Sequence, residues 1–192
     1  MKKLILIGGG GHCKSCIDVV ESEGKYSIEG ILDTEDKVGG KVLDFEIIGT
    51  DDDIEKFAKQ GCEFLITLGQ IKSAELRKKL YEKVKIAGGK FATVVSPDAY
   101  VSKYASTGAG TIIMNGAFVN AGTKIGNNCI INTKAVIEHD CKIGDNCHIA
   151  IGAVLAGEVT VEQESFIGAN ATVVQGVTIP QKSFIKAGSL IK

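Results

Sequence analysis

Aliphatic side chains recur every six residues between positions 95 and 191. Sixteen of the seventeen positions in this series are aliphatic, and Thr107 is the exception. A small side chain follows each of them four residues later, up to Ser189. A period of six matches neither an isolated amphipathic helix nor a strand with simple alternation. It predicts a parallel β-helix, a solenoid in which short strands turn a corner every six residues.

The first ninety residues have a different pattern, in which buried-strand and helix signals alternate. The predicted strands cover residues 3–7, 27–32 and 63–68, and the predicted helices cover residues 13–23, 53–59 and 73–84. This alternation indicates a parallel sheet with right-handed crossovers. We therefore expect a Rossmann-like domain over residues 1–90 and the solenoid over residues 91–192.

Charge and hydropathy exclude several classes of protein. The net charge of −1 argues against nucleic acid as the main partner, because no global basic field is present. The apolar run at the amino terminus is only four residues long before Gly8, too short for a signal peptide. No run of eighteen apolar residues occurs, so no membrane span is expected. We expect a cytoplasmic protein.

Six cysteines in such a protein are expected to be reduced. Three of them occupy the small-residue slot of the repeat and are interpreted as apolar core fillers, namely Cys129, Cys141 and Cys147. Cys13 and Cys16 form a C-x-x-C pattern, which occurs in redox and zinc sites. Because no second pair and no ligand set beyond His12 accompanies it, we favour helix packing.

Two of the three histidines fall in one predicted coil, residues 131–148. His139 takes a corner position, so its ring should point outward. Ala121 and Gly157 lie one coil below and above it and leave space for a ligand. Asp140 follows directly and can orient the ring, as a carboxylate does for a general base. The alternative is that these are two surface histidines of a polar repeat.

A glycine run, Gly8 to Gly11, follows the first predicted strand and opens the first helix. Backbone N–H groups at such a turn suit a pyrophosphate. Asp33 ends the second strand, where a carboxylate can bind a ribose or base. The dinucleotide motif is incomplete, since Cys13 occupies its third glycine position. A bound nucleotide is favoured, but a hydride-transfer enzyme is not.

Three motifs together resemble a known family: the glycine run ending in His12, the pair Leu32-Asp33, and Glu138-His139-Asp140-Cys141. The chain resembles bacterial hexapeptide-repeat sugar acyltransferases of the sialic acid O-acetyltransferase type. It is most similar to acetyl-CoA-dependent N-acetyltransferases acting on nucleotide-linked 4-amino sugars, as in bacillosamine synthesis. The resemblance implies a Rossmann-like domain followed by a left-handed parallel β-helix, and a homotrimer with active sites between neighbouring solenoids.

The resemblance also implies roles for single residues. His139 matches the general base, and Asp140 matches the acidic residue beside it. Asn132 and His148 match positions that contact the thioester carbonyl or the cofactor. Acetyl-CoA is the implied co-substrate, and Ala169 and Ala187 are further positions implied to contact it. Substrate contacts are implied at Gly10, Gly11, His12, Asp33, Thr34 and Gly69. No metal is implied.

Two other functions stay open on sequence, and one more is disfavoured. The acceptor of the acetyl group is either the 4-amino sugar or a hydroxyl of sialic acid or a related nonulosonate. A zinc-dependent carbonic anhydrase on the same solenoid needs three converging histidines, and only two lie in the repeat. A non-catalytic scaffold that binds a nucleotide sugar is the third alternative.

Overall fold

The computed structural model describes all 192 residues and confirms the expected fold class. The chain forms two compact units. The first contains residues 1–69 and 75–94, and the second contains residues 70–74 and 95–192. The short segment 70–74 therefore belongs to the solenoid unit, although it lies in the amino-terminal half of the sequence.

The first unit is built on a six-stranded sheet with the order β3-β4-β2-β1-β5-β6. Its strands are β1 (Lys2–Ile7), β2 (Tyr26–Leu32), β3 (Lys41–Val42), β4 (Phe45–Gly49), β5 (Glu63–Ile66) and β6 (Lys90–Phe91). Its helices are α1 (Gly11–Glu23), α2 (Ile54–Lys59) and α3 (Glu75–Ile86), with single 3-10 turns at Glu35–Lys37 and Asp51–Asp53. All neighbouring strands are parallel except β3 and β4, which form an antiparallel hairpin that the sequence did not predict.

The central strand of this sheet is apolar because it is buried on both faces. The carboxyl-terminal half of β1 is entirely apolar and buried, as expected for a strand covered on both faces. Helix α1 buries its apolar side, including Cys13, Cys16 and Ile17, and ends at Gly24, whose φ of 70° suits a left-handed cap. The parallel strands β1, β2 and β5 end at the same edge of the sheet, which is where ligands bind in such folds.

The second unit is a three-sided prism of parallel strands. Face 1 contains Val94–Val95, Ile112–Ile113, Ile130–Ile131, His148–Ile149, Phe166–Ile167 and Phe184–Ile185. Face 2 contains Tyr100–Val101, Phe118–Val119, Val136–Ile137, Val154–Leu155, Thr172–Val173 and Leu190–Ile191. Face 3 contains Ser106–Thr107, Lys124–Ile125, Lys142–Ile143, Thr160–Val161 and Thr178–Ile179.

The six-residue series forms the core of this prism. The second residue of each strand points inward, and from Ile113 to Ile179 these side chains are at most 5% exposed. The three cysteines of the repeat are fully buried among them, and their thiols donate to carbonyl oxygens one coil further on, for example Cys141 to Ala156 at 3.2 Å. Burial raises the pKa of the Cys141 thiol to about 11. These thiols are therefore core fillers, as the sequence predicted.

From residue 110 onward, every corner of the prism turns through one residue with a left-handed backbone. A positive φ recurs at every sixth residue from 110 to 188, at Gly110, Gly116, Gly122, Asn128, Lys134, Asp140, Asn146, Gly152, Glu158, Glu164, Asn170, Gly176, Lys182 and Gly188. Glycine and asparagine tolerate this conformation best. The backbone of Asp140, with φ of 59°, thus follows the general rule of the fold.

Candidate functional site

His139 projects from the corner between faces 2 and 3, which we call the His corner (residues 138–141), and its side chain is 48% exposed. Backbone hydrogen bonds stack Ala121, His139 and Gly157 in one column, one coil apart. A β-carbon on Gly157 would lie 2.6 Å from both Cε1 and Nε2 of the His139 ring. The ring therefore rests against the glycine, and this ring position requires a residue without a side chain at 157.

Asp140 fixes the protonation of the His139 ring. Its Oδ2 lies 3.0 Å from Nδ1 of His139. Because a carboxylate only accepts hydrogen bonds, Nδ1 carries the hydrogen and Nε2 keeps a free lone pair. The hydrogen bond to Asp140, together with the charges of Asp140, Glu138 and Glu158, raises the pKa of His139 above its usual value. An exposed imidazole with this tautomer and raised basicity is suited to accept a proton at Nε2.

A second carboxylate holds the backbone of the same corner. Oε2 of Glu138 accepts from Nδ2 of Asn120 at 2.6 Å and from the backbone N–H of His139 at 3.3 Å. Oδ1 of Asn120 accepts in turn from the backbone N–H of Ala121 at 2.8 Å. Sequence reasoning missed Asn120. Its only signal was its position eighteen residues before Glu138, which is one full coil.

Asn132 and His148 form a second polar cluster, which we call the Asn corner cluster. Nδ2 of Asn132 lies 3.0 Å from Nε2 of His148, and Oδ1 of Asn132 accepts from the backbone N–H of Thr133 at 2.8 Å. Nδ1 of His148 lies 2.5 Å from the backbone carbonyl oxygen of Gln70. His148 is only 7% exposed, so both of its ring nitrogens are engaged inside the chain. Asn132 is the more accessible donor of the pair.

The two histidine clusters lie on different corners of one coil. Asn132 precedes the strand Val136–Ile137 and His139 follows it, so face 2 separates them. The structure thus brings His139 together with Asp140, and Asn132 together with His148, but it does not join the two pairs within one chain. The two histidines also do not converge on a common point, which a zinc site of the carbonic anhydrase type would require.

Ala169 and Ala187 lie on the same side of face 2 as Asn132. Backbone hydrogen bonds stack them in a column with Thr133 and Ile151. Gly152 donates to Thr133, Asn170 donates to Ile151, and Gly188 donates to Ala169. This column runs along the corner between faces 1 and 2. The structure therefore places the two residues expected to contact coenzyme A on the corner of Asn132, away from the His corner of the same chain.

The glycine run after β1 has two parts, which differ in the space available for a side chain. A β-carbon on Gly8 would lie 2.5 Å from Leu68, and one on Gly9 would lie 3.0 Å from a carboxylate oxygen of Asp33. Gly8, whose φ is 106°, therefore has no space for a side chain, and a β-carbon on Gly9 would press on Asp33. A β-carbon on Gly10 or Gly11 would meet nothing within 4 Å. Both residues are exposed and precede or begin helix α1, so they keep open a space against the helix N-terminus where an anion can approach the backbone.

Asp33 closes this turn from the end of β2. Its Oδ2 accepts from the backbone N–H of Gly9 at 2.6 Å, and its Oδ1 accepts from the backbone N–H of Thr34 at 2.7 Å. Burial alone would raise the pKa of Asp33, but these hydrogen bonds and the ion pair with Lys37 outweigh it and hold the pKa below its usual value. Asp33 is therefore ionised and already holds the glycine turn.

A cavity of about 420 Å³ opens beside Asp33 and Thr34 at the carboxyl edge of the sheet. Leu32, Leu68 and Leu76 contribute apolar walls. The lining also includes Thr50, Asp51 and Asp52, which sequence reasoning missed because they follow the unpredicted strand β4. Its volume and mixed walls suit one end of a nucleotide.

His12 and Gly69 lie side by side behind the glycine run. The nearest atom to a β-carbon on Gly69 would be Cβ of His12, at 3.8 Å, so this position also has open space. The neighbouring thiols of Cys13 and Cys16 are buried within helix α1, and burial raises the pKa of both. They are therefore poor nucleophiles, in agreement with the packing interpretation.

Two further properties concern the whole chain. No group of three or more His, Cys, Asp and Glu side chains is arranged to hold a metal ion. None of the helices has the length and apolar character needed to cross a membrane.

Family profiles match most of the chain. The PglD N-terminal domain profile matches residues 3–84. The bacterial transferase hexapeptide profile (six repeats) matches residues 122–157, and the profile for the hexapeptide repeat of succinyl-transferase matches residues 158–192. Comparison with curated proteins gives no match.

Solved structures resemble the chain over its full length. The acetyltransferase domain of PglB from Neisseria gonorrhoeae is 31% identical with a TM-score of 0.91, over 100% of this chain and 92% of that chain. The same domain in complex with acetyl coenzyme A is 30% identical with a TM-score of 0.88, over 99% and 92%. A histidine-to-alanine variant of GDP-perosamine N-acetyl transferase from Caulobacter crescentus, in complex with CoA and GDP-perosamine, is 32% identical with a TM-score of 0.91, over 100% and 89%.

Proposed function

We propose that this chain, which belongs to the hexapeptide-repeat sugar acyltransferases with a PglD N-terminal domain, moves an acetyl group from acetyl-CoA to the 4-amino group of a nucleotide-linked amino-deoxy sugar. The observation that carries the proposal is the free Nε2 lone pair of His139, on an exposed corner and against a glycine. The related PglB and GDP-perosamine enzymes support acetyl-CoA as the co-substrate and an amino sugar as the acceptor.

The chemistry follows from the tautomer of His139. The sugar amine attacks the thioester carbonyl carbon, and its proton passes to Nε2 of His139. Asp140 stabilises the resulting imidazolium through Nδ1. The carbon–sulfur bond then breaks, and the sulfur of coenzyme A leaves with a proton returned from His139. Negative charge that develops on the carbonyl oxygen is stabilised by a donor aimed at it, the role we assign to the amide of Asn132.

Because His139 and Asn132 lie at opposite ends of one strand of face 2, a complete site requires a second copy of the chain. Face 2 presents an outward row of mainly apolar side chains, in which Tyr100 stacks on Phe118 with ring centroids 4.9 Å apart. Tyr100 and Leu190 in this row are 55% and 57% exposed. We propose that face 2 packs between copies in a homotrimer, which brings His139 of one copy to Asn132 of the next.

The acceptor end of the substrate belongs to the first unit. Gly10 and Gly11 leave the helix N-terminus open for the diphosphate, and the cavity beside Asp33 and Thr34 accommodates the nucleoside. His12 and Gly69 border the same edge and are assigned to the sugar. Acetyl-CoA is assigned to the column of Ala169 and Ala187 and to His148 on the neighbouring face 1. Free cysteines and this pair of substrates favour a cytoplasmic location.

The experiment that tests the proposal is release of free thiol from acetyl-CoA with a panel of acceptors. The panel contains UDP-, GDP- and dTDP-linked 4-amino sugars together with free and CMP-linked sialic acid. We expect turnover with one nucleotide-linked amino sugar and a loss of about 10³-fold in kcat in His139→Ala. Gln163→Ala changes an exposed residue on another corner and serves as the matched control.

Other outcomes of this experiment are informative. Turnover with sialic acid alone would make the protein an O-acetyltransferase. Unchanged turnover in His139→Ala would remove His139 as the base. Absence of thiol release with every acceptor, and of coenzyme A binding, would leave a non-catalytic scaffold.

A further inference from the structure

Gln70 is a buried residue of the segment 70–74 that holds two groups of the solenoid at once. Its Nε2 donates to the carbonyl oxygen of Asn146 at 2.9 Å. Its backbone carbonyl oxygen accepts from Nδ1 of His148 at 2.5 Å. The residue is 2% exposed, and its Oε1 is buried with no hydrogen-bond partner. A buried acceptor without a partner is unfavourable and unusual for a residue that only connects two elements.

The backbone carbonyl of Gln70 decides the tautomer of His148. A carbonyl oxygen only accepts, so Nδ1 of His148 carries the hydrogen and Nε2 keeps the lone pair. That lone pair accepts from Nδ2 of Asn132 at 3.0 Å. With the other tautomer, two donors would face each other across this contact, and the Asn132 amide would have to turn.

The orientation of the Asn132 amide depends on this chain of contacts. Its Oδ1 is held by the backbone N–H of Thr133 at 2.8 Å, and one hydrogen of Nδ2 is held by His148. The second hydrogen of Nδ2 then has a fixed direction. A donor that is oriented before the reaction stabilises developing charge without reorganisation.

We propose that Gln70 is a positioning residue for acyl transfer: through His148 it aims the amide of Asn132 at the carbonyl oxygen of the acyl donor. The proposal rests on the acetyl transfer proposed above. His148 acts in it as an acceptor toward Asn132 and does not itself donate to the thioester oxygen. Gln70 touches no substrate and acts only through these two side chains.

The first test is spectroscopic and needs no substrate. The chain contains only three histidines, so ring ¹⁵N shifts of selectively labelled protein can be assigned with single histidine-to-glutamine variants. We expect His148 of the unaltered protein to be neutral, with Nδ1 protonated and Nε2 unprotonated. Gln70→Met keeps the volume and the backbone carbonyl but removes the side-chain donor to Asn146, which anchors that carbonyl against His148. We expect the loosened carbonyl to give averaged shifts for the two ring nitrogens. A His148 protonated at Nε2 in the unaltered protein would overturn the proposal.

The second test is kinetic. We expect Gln70→Met to lower kcat about 10-fold while the KM for the nucleotide sugar stays unchanged, because mispositioning of a donor affects the transition state more than substrate binding. Ile71→Met, in the exposed next residue of the segment, is the matched control and should keep both the shifts and the rate. Gln70→Met with unaltered kcat would overturn the proposal. No turnover in the unaltered protein would reject the proposed function instead, and the His148 shifts would still decide the tautomer.

Discussion

The imidazole of His139 and the backbone of Gly157 occupy adjacent levels of one column, so close that a β-carbon on Gly157 would lie 2.6 Å from Nε2. We expect Gly157→Ala to displace the ring and lower kcat by about 10²-fold, since a small misplacement of a catalytic group has a large effect. The far end of a side chain can rotate away, so the melting temperature should change little. Steady-state kinetics and thermal unfolding check both results. The double variant with His139→Ala should be no slower than His139→Ala alone.

The pH dependence of the rate should report the pair His139 and Asp140. The reaction needs the unprotonated ring, so kcat/KM rises with pH through the pKa of His139, which the hydrogen bond to Asp140 raises above its usual value. Asp140→Asn should move this acidic limb to lower pH and also lower the plateau, because the tautomer is no longer fixed. Glu158→Gln removes a weaker influence and should give a smaller shift in the same direction. A shift of the acidic limb to higher pH in either variant would contradict the assignment.

Sharing of the site between copies can be tested by mixing inactive variants. Neither His139→Ala nor Asn132→Ala should be active alone. In a trimer whose sites combine His139 of one copy with Asn132 of the next, every mixed trimer has one intact site. Random mixing of equal amounts should then recover about a quarter of the unaltered rate. Coexpression with two different affinity tags isolates the mixed trimers, and no recovery in them would place both residues in one chain's own site.

Substitution of Gly11 should affect the stability of the fold and the binding of the nucleotide sugar in opposite directions. Its φ is not positive, and a β-carbon there would meet nothing within the chain. Gly11→Ala should therefore stabilise helix α1 by up to about 0.5 kcal/mol through the lower entropy of the unfolded chain. It should also raise the KM for the nucleotide sugar about 10-fold and leave that for acetyl-CoA unchanged, because the new methyl group enters the space assigned to the diphosphate. Ser15→Ala, on an exposed position of the same helix, controls for helix propensity.

Positions that belong to a repeating pattern could be predicted from sequence. The inward series from Val95 to Ile191 identified the core, since every coil imposes the same burial at the same place. The outward position of His139 and its small neighbour Gly157 followed from the same register. The location of the glycine turn also followed, because a buried strand preceded it.

Contacts that depend on tertiary structure could not be predicted. The hairpin of β3 and β4 is short and contains polar residues, so it gave no strand signal, and the cavity residues that follow it were missed. Gln70 contacts His148 from 78 positions away, and a single glutamine in a turn carries no periodicity. The separation of Asn132 from His139 is set by the width of face 2, which a list of motif residues does not contain.

The left-handed residue that recurs at the corners from 110 to 188 has a consequence for how the active site is built. Asp140 adopts the same backbone as Asn128, Lys134 and Asn146, which occupy the equivalent place at neighbouring corners and have no catalytic assignment. The same backbone turn thus occurs at fourteen corners of the prism. A histidine followed by an aspartate converts one such turn into a proton acceptor without any change of backbone. The backbone geometry of the His corner is therefore a property of the repeat, and only the side chains distinguish this corner from its neighbours.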